Sequence, residues 1–185
     1  MNRQPPVARG AGTDSGGRPW LVSDARNDSR LEAILRRLPP GSGLIFRHYH
    51  LPAAERRARW ERLRRLCRAR GLLAVLAGTP AQARRWRADG AYGPPRSLAG
   101  GPPMLRLATA HGLRELGQAA RHGADAALLS PVHPTRSHPD APGLGPVRFR
   151  ALAARAPLPV MALGGMNRSR ARHLRAHGWA AIDGI

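Results

Sequence analysis

The chain contains no lysine, although 31 of its 185 residues are basic. All 31 are therefore arginine, and against 11 acidic residues they give a formal net charge of +20. A charge of that size attracts polyanions, but surfaces selected for phosphate contacts normally use lysine as well as arginine. Arginine, alanine, glycine and proline share GC-rich codons, so the composition indicates a coding bias rather than a nucleic-acid partner.

Cysteine, aromatic residues and long apolar runs are also scarce. The single cysteine, Cys67, excludes an internal disulfide framework and a four-cysteine zinc site. With 4% aromatic residues, a core must be built from Ala, Leu, Val and Ile. No segment resembles a secretory signal or approaches the ~20 apolar residues of a membrane span. We therefore expect a cytoplasmic protein without a membrane partner, in which residues 1–18 form a disordered tail and residues 19–185 one folded domain.

Short apolar runs alternate with amphipathic, arginine-rich stretches along the folded domain. Their periodicity predicts eight strands and six helices. The predicted strands are 20–24, 43–47, 72–77, 91–93, 104–109, 124–130, 158–163 and 179–185. The predicted helices are 27–38, 52–70, 80–88, 112–121, 147–154 and 167–177. On the helix 52–70, arginines are expected on the positions that face away from the core.

Strands that alternate with helices favour a parallel sheet, and eight such units favour a closed (β/α)8 TIM barrel. An open doubly wound sheet is the alternative. Residues 19–185 are fewer than the ~200–250 of most such barrels, so the barrel is expected to be shortened and to lack its final helix. A wall without that helix would be partly uncovered, which predicts either a homodimer or low stability.

In a TIM barrel, the active site lies at the carboxyl ends of the strands. That rule selects polar groups from several segments: Asp24, Arg47, His48, His50, Thr109, His111, 130–138, Gly164, Gly165, Asp183 and Gly184. The Gly164-Gly165 pair follows a buried strand and precedes a helix, so its backbone N–H groups are candidates for holding a phosphate.

Several of these segments match, in the same order along the chain, the motifs of one known protein family. Pro131 and Thr135 match a Gly-Pro-x-x-x-Thr loop after strand six, and 143–145 match a glycine-containing turn. The run 159–166, Pro-Val-Met-Ala-Leu-Gly-Gly-Met, matches a strand-seven motif, while Leu-Val-Ser-Asp at 21–24 and Ala-Thr-Ala-His at 108–111 match earlier strands. On these residues the chain resembles the thiamine phosphate synthase family, which includes TenI-like thiazole tautomerases.

The resemblance implies a synthase that joins a pyrimidine pyrophosphate to a thiazole phosphate with magnesium held by acidic residues after strands three and four. The corresponding segments here, 76–79 and 92–96, contain no carboxylate. Of the family's Gln-x-Arg-x-Lys signature only Arg47 remains, and His138 stands where the family has a lysine. We therefore expect no cofactor, with magnesium required only if synthase activity persists.

The thiazole-phosphate half of the family's site is retained. The expected ligand is a phosphorylated thiazole, and the expected binding residues are Arg47, Thr109, Thr135, Ser137, His138, Gly164, Gly165, Asp183 and Gly184. The resemblance to thiazole tautomerases implies that His111 moves a proton on the thiazole phosphate. Two alternatives stay open at this stage: residual thiamine phosphate synthase activity, and non-catalytic binding of a phosphate ligand or a nucleic acid.

Structural roles compete with these functional ones. His111 could cap the following helix or bond a strand carbonyl, and Arg47 could pair with Asp24. Cys67 lies on the inward stripe of its helix and is expected in the core. Histidine pairs or clusters that could bind a metal are weaker alternatives, because their surroundings indicate solvent-facing positions: His48, His133 and His138, and His173 with His177.

Overall fold

The computed structural model describes residues 17–135, 142–174 and 176–185. Eight parallel strands close into a barrel in sequential order, and β8 pairs with β1 so that Trp20 lies opposite Ala180. The strands are β1 Arg18–Val22, β2 Gly43–Phe46, β3 Leu73–Ala77, β4 Gly90–Gly93, β5 Leu105–Ala110, β6 Ala126–Leu129, β7 Val160–Leu163 and β8 Gly178–Ala181. The predicted (β/α)8 barrel is confirmed, and the open sheet is wrong because the β1–β8 seam is hydrogen-bonded.

Within the described ranges, six helices alternate with the strands. They are α1 Leu31–Arg37, α2 Ala53–Ala69, α3 Pro80–Arg85, α4 Leu113–Arg121, α5 Gly145–Ala154 and α6 Arg168–Leu174. Residues 182–185 follow β8 without forming a helix. Across the described ranges, every helix falls short of the length and apolarity that crossing a bilayer requires. The predicted tail, 1–18, lies outside the described residues except at its end, where Arg18 already belongs to β1.

The helix α2 begins after Pro52 and ends at Ala69, within one residue of the predicted bounds 52–70 at each end. Its inward stripe buries Trp60, Leu63 and Cys67. Its arginines do not all face solvent, because Arg59 keeps only 16% of its side-chain surface exposed and forms ion pairs with residues preceding and within α1. The expectation of an outward arginine face is therefore wrong in part.

The strands bury both faces, which explains their nearly continuous apolar sequence. Alternate side chains such as Trp20 and Val22 fill the barrel interior, while Leu21 between them packs under the helices. The inner layer contains Trp20, Val22, Ile45, Val75, Ala77, Tyr92, Leu105, Leu107, Ala126, Leu128, Met161 and Ala180. A floor of packed side chains therefore lies beneath the carboxyl ends of the strands.

The segment after β1 differs from the predicted helix 27–38. A 3-10 turn, Ala25–Arg30, comes first, and α1 begins only at Leu31. The side chain of Asp24 accepts the N–H of Arg26 at 3.1 Å, and the side chain of Asn27 accepts the N–H of Asp24 at 2.9 Å. These reciprocal bonds fix the first turn at Asp24. A second 3-10 turn, 95–98, lies in the segment predicted to be a loop, 94–103.

Asn27 also connects the first and last strands. The residue is fully buried, and its Nδ2 donates to the carbonyl of Val22 at 3.0 Å and to that of Ile182 at 2.7 Å. The backbone after Ala181 therefore bonds the Asn27 side chain instead of continuing the strand pairing of β8. The predicted eighth strand, 179–185, is consequently shorter and ends at Ala181.

Candidate active site at the carboxyl ends of the strands

A cavity of about 860 Å³ opens at the carboxyl ends of the strands, and residues at or after every strand except β3 line it. The volume suits a small-molecule ligand. Eight of the predicted site residues lie together in its wall: Arg47, Thr109, His111, Thr135, Gly164, Gly165, Asp183 and Gly184. The other two, Ser137 and His138, lie outside the described residues. The strand-end rule thus locates one common site.

His111 follows β5 and is fixed from two sides. Its backbone N–H donates to Glu115 Oε2 at 2.7 Å, and its ring Nδ1 lies 2.8 Å from the carbonyl oxygen of Ser130. A carbonyl can only accept, so this contact assigns the ring proton to Nδ1 and leaves Nε2 as the basic atom of the neutral imidazole. The alternative prediction is a bond from His111 to a strand carbonyl; the carbonyl it bonds is that of Ser130, the residue just after β6, and this bond orients the ring in the cavity wall.

The Gly164-Gly165 pair after β7 packs closely against the loop that follows β6. The φ angles are +97° and +60°, in the region that favours glycine. A Cβ on Gly164 would lie 2.7 Å from the Cα of Pro131, and one on Gly165 would lie 2.8 Å from the Pro134 carbonyl oxygen. Both glycines are required by this packing, which also places their backbone in the cavity wall.

The backbone of Arg47, at the end of β2, is held by hydrogen bonds with two side chains. Its N–H donates to Ser23 Oγ at 2.8 Å, and its carbonyl accepts Arg56 Nε at 2.9 Å. Its guanidinium lies 5.8 Å from the centroid of the Tyr49 ring. Asp24 forms its contact ion pair with Arg26 at 2.8 Å, and the charge of Arg47 acts on the Asp24 carboxylate only as a smaller contribution to its lowered pKa.

Two further arginines, Arg26 and Arg30, line the cavity but were absent from the predicted site. Arg26 holds the pKa of the Asp24 carboxyl below its ordinary value through a hydrogen bond. Arg30 Nη2 lies 3.3 Å from Asp183 Oδ1, which pairs the Asp183 carboxylate with a cation. Arg26 and Arg30 follow the end of β1 by four and eight residues, so extending the same strand-end rule further along the chain would have found them.

Tyr92, another unpredicted residue of the wall, lies on the barrel floor at β4. Burial raises its pKa to about 12. The phenol is therefore protonated at neutral pH and can donate a hydrogen bond. Its aromatic ring adds apolar surface beneath a ligand, and apolar surface with a few polar groups is usual for a small-molecule site.

The donors present do not fit the magnesium site that the family resemblance implies. Magnesium prefers carboxylate and other oxygen ligands. After β3, the carbonyl of Ala77 accepts Arg56 Nη2 at 2.9 Å, so a cation is placed where a metal ligand would be expected. Gly93 and Pro94 occupy the corresponding place after β4, and among the described wall residues Asp183 is the single carboxylate.

Among the described residues, which exclude His138, the histidine-based metal sites find no support either. His48 is 1% exposed and bonds Ser23 and Asp28, and His173 bonds the carbonyl of its own helix at Ser169. Within the part of the chain that the structure describes, no three His, Cys, Asp or Glu side chains are grouped to hold a metal. Burial raises the pKa of Cys67 to about 12, which agrees with the predicted core position.

Comparisons with known proteins show what the chain is similar to. The family profile described as "Thiamine monophosphate synthase" matches residues 101–185. The bifunctional thiamine biosynthesis protein ThiM/ThiE of Symbiobacterium thermophilum is 33% identical over 88% of this chain, which spans 35% of that longer protein. The thiamine-phosphate synthase of Pyrococcus furiosus is 28% identical over 90% of this chain and 82% of its own length.

A solved structure shares the fold. Thiamine phosphate pyrophosphorylase from Pyrococcus furiosus superimposes with a TM-score of 0.74, covering 91% of this chain and 87% of the other, at 23% identity. The structural similarity shows the fold, and the evidence for the family comes from the sequence matches. The profile match over residues 101–185 and the sequence relatives that cover 88% and 90% of this chain therefore support its membership of the thiamine phosphate synthase/TenI superfamily.

Proposed function

We propose that the chain is an enzyme of thiamine biosynthesis that binds a phosphorylated thiazole in the cavity and moves a proton on it. The observation that carries the proposal is the position of His111, which lines the cavity with Nδ1 bonded to Ser130 and Nε2 left basic. Imidazole gains and loses protons near neutral pH, so it suits general acid–base catalysis. No metal is needed for such a step.

Binding of the phosphate is assigned to the loops after β7 and β8. TIM barrels commonly hold phosphate there, and Gly164, Gly165 and Gly184 all line the cavity in this region. Thr135, from the loop after β6, adds a hydroxyl. Arg47, at the end of β2, supplies a cation in the same cavity wall, which suits contact with the anionic groups of the ligand, the phosphate included.

The proton transfer is an isomerisation, so the atoms of the substrate are unchanged. His111 Nε2 takes a proton from one position of the non-aromatic thiazole ring, and the resulting imidazolium returns a proton to another position. The Ser130 carbonyl, which accepts from Nδ1, stabilises the imidazolium during this interval. The aromatic ring of the product makes the reaction favourable.

The test is the conversion of the non-aromatic thiazole carboxylate phosphate to its aromatic isomer, followed by NMR. His111→Asn keeps an N–H donor for Ser130 but removes the base. We expect its rate to fall by about 100-fold or more, whereas His173→Asn, on exposed α6, retains the parent rate. An unchanged rate in His111→Asn would refute the assigned role.

Thiamine phosphate synthesis is the second candidate, because the Pyrococcus furiosus relative is named a thiamine-phosphate synthase. It requires displacement of pyrophosphate, a leaving group that metal ions and cations normally stabilise. Purified protein mixed with the pyrimidine pyrophosphate, thiazole phosphate and magnesium is expected to yield little thiamine phosphate. Substantial product that disappears with EDTA would favour the synthase, and binding without either conversion would favour a non-catalytic role.

A further inference from the structure

A buried series of hydrogen bonds begins at the Arg47 peptide and leads away from the cavity. The N–H of Arg47 donates to Ser23 Oγ at 2.8 Å, and Ser23 Oγ lies 2.7 Å from His48 Nδ1. His48 Nε2 lies 2.9 Å from Asp28 Oδ1, and Arg59 Nε donates to the same oxygen at 2.7 Å. We call Ser23, His48, Asp28 and Arg59 the positioning network.

The direction of each bond follows from the groups involved. Ser23 Oγ accepts from the Arg47 N–H, so its own proton is available to donate to His48 Nδ1. His48 is then a neutral imidazole whose Nε2–H donates to the Asp28 carboxylate. Burial supports this state, because it lowers the pKa of His48 below the ordinary value. Each member of the network thus has a partner on both sides.

Both peptide groups of Arg47 are bound by side chains rather than by a neighbouring strand. Ser23 binds its N–H, and Arg56 Nε donates to its carbonyl oxygen at 2.9 Å. Arg56 is in turn 5.2 Å from the centroid of the Trp86 ring and bonds the Ala77 carbonyl. The backbone that carries the Arg47 side chain is therefore fixed at the cavity wall.

His48 is held in an uncommon backbone conformation to make these contacts. Its φ is +40°, in the left-handed region that residues other than glycine rarely adopt. The ring is 1% exposed and stacks on Phe46 with 4.6 Å between centroids. Strain of this kind persists where the surroundings determine it and is concentrated at functional sites.

We infer that His48 is a positioning residue, which holds Arg47 for contact with an anionic ligand by way of Ser23. The inference rests on the proposed function only in taking Arg47 as an anion contact. The order Ser–His–Asp is also that of a hydrolase triad. Ser23, however, is fully buried and its Oγ is engaged by both Arg47 and His48, so it is not accessible to a substrate.

The experiment is a double-mutant cycle on the full chain, with inorganic phosphate as the probe and calorimetry as the readout. His48→Leu removes both ring hydrogen bonds and is expected to weaken phosphate binding by about tenfold. In an Arg47→Ala background the same change should cost less than about twofold, because His48 acts only through Arg47. Equal losses in the two backgrounds would overturn the inference.

Two further variants separate positioning from stability. His48→Asn tolerates positive φ and retains an acceptor for the Ser23 hydroxyl, so it should restore most of the affinity lost in His48→Leu. Ser23→Ala should reproduce the loss, and His122→Asn, at the far end of α4, should not. If His48→Leu is unfolded, the Ser23→Ala cycle gives the same answer.

The outcome is independent of thiazole chemistry. Arg47-dependent phosphate binding that is coupled to His48, without any turnover of thiazole phosphate, would support this inference and reject the proposed function. Phosphate affinity that is unchanged by Arg47→Ala, or absent in the parent protein, would overturn the inference even if His111 catalyses the isomerisation.

Discussion

Asn27 shows how one side chain can complete a barrel. It is fully buried, donates to the carbonyl of Val22 at the end of β1 and to that of Ile182 just after β8, and accepts the N–H of Asp24. A hydrophobic residue of similar size would leave these backbone groups without partners in the protein interior, where unpaired polar groups are costly. The position requires a side chain that donates two hydrogen bonds and accepts one, as the Asn27 amide does.

Asn27→Ala is therefore expected to lower the free energy of unfolding by about 2 to 4 kcal/mol. Urea denaturation followed by circular dichroism measures the change. Arg30→Ala is the matched control, because the Arg30–Asp183 pair has side chains 63% and 42% exposed and should contribute less than about 1 kcal/mol. Similar losses in the two variants would show that Asn27 does not close the seam.

The packing of whole elements depends on charged groups as well as on apolar area. Asp28 lies in the 3-10 turn after β1, Glu32 lies on α1, and Arg59 on α2 bonds both. Hydrogen bonds with Arg59 and His48 hold the pKa of Asp28 below its ordinary value despite burial, and Arg59 does the same for Glu32. These pairs connect the 3-10 turn, α1 and α2.

The pKa shifts predict how stability changes with pH. Burial lowers the pKa values of His48 and His133, so between those values and about 6.5 the unfolded chain binds protons that the folded chain does not. The free energy of unfolding should therefore decrease as the pH falls below about 7. A second decrease is expected below about pH 4, where the unfolded carboxyls protonate before Asp28 and Glu32.

Urea denaturation between pH 8 and pH 3 tests this expectation. His48→Asn should reduce the first decrease, because one of the two histidines is removed. It should also weaken the second decrease, because Asp28 loses its hydrogen bond with His48 while Glu32 keeps its pair with Arg59. His122→Asn, outside both groups, should follow the parent curve. Stability that is constant or increases as the pH is lowered from 8 to 5 would contradict the assignment of neutral, buried histidines.

Periodicity in the sequence predicts most of the strands and helices. The strands are apolar on both faces, and Thr79 with Pro80 marks the start of α3. Periodicity does not predict the segment after β1, where hydrogen bonds from the side chains of Asp24 and Asn27 form a 3-10 turn in place of the predicted helix start. The site was located from strand ends alone, since closure of the barrel brings those ends together. His48 bonds Ser23 and Asp28, which lie 25 and 20 residues away in the sequence, and Asp28 bonds Arg59, which lies 31 residues from it. No local sequence pattern indicates contacts over such separations.

At the scale of the whole molecule, the homodimer remains a prediction from the sequence. The described chain leaves few large apolar side chains in solvent, namely Tyr49, Val147 and Ile185. Val147 lies on α5 and is 74% exposed, whereas Tyr49 lies beside the cavity. Scattered single apolar residues are normal on monomers, so these side chains do not by themselves define an interface.

The arginine excess also acts at the scale of the molecule, and its distribution decides what it can bind. Arg59 and Arg64 keep only 16% and 18% of their side-chain surface exposed and are paired with carboxylates. Arg26, Arg30 and Arg47 line a concave cavity that a duplex cannot enter. The remaining exposed arginines are spread over several helices, which favours weak and sequence-independent contact with polyanions.

We therefore expect the affinity for duplex DNA, measured by fluorescence anisotropy, to fall by about tenfold or less between 50 and 200 mM salt. A protein that makes six to ten phosphate contacts would lose about 10³ to 10⁵ over the same range. Arg62→Glu with Arg65→Glu, both on the exposed side of α2, should change the affinity only slightly. A steep salt dependence abolished by those two substitutions would show that α2 is a nucleic-acid surface, and the charge would then require a functional explanation.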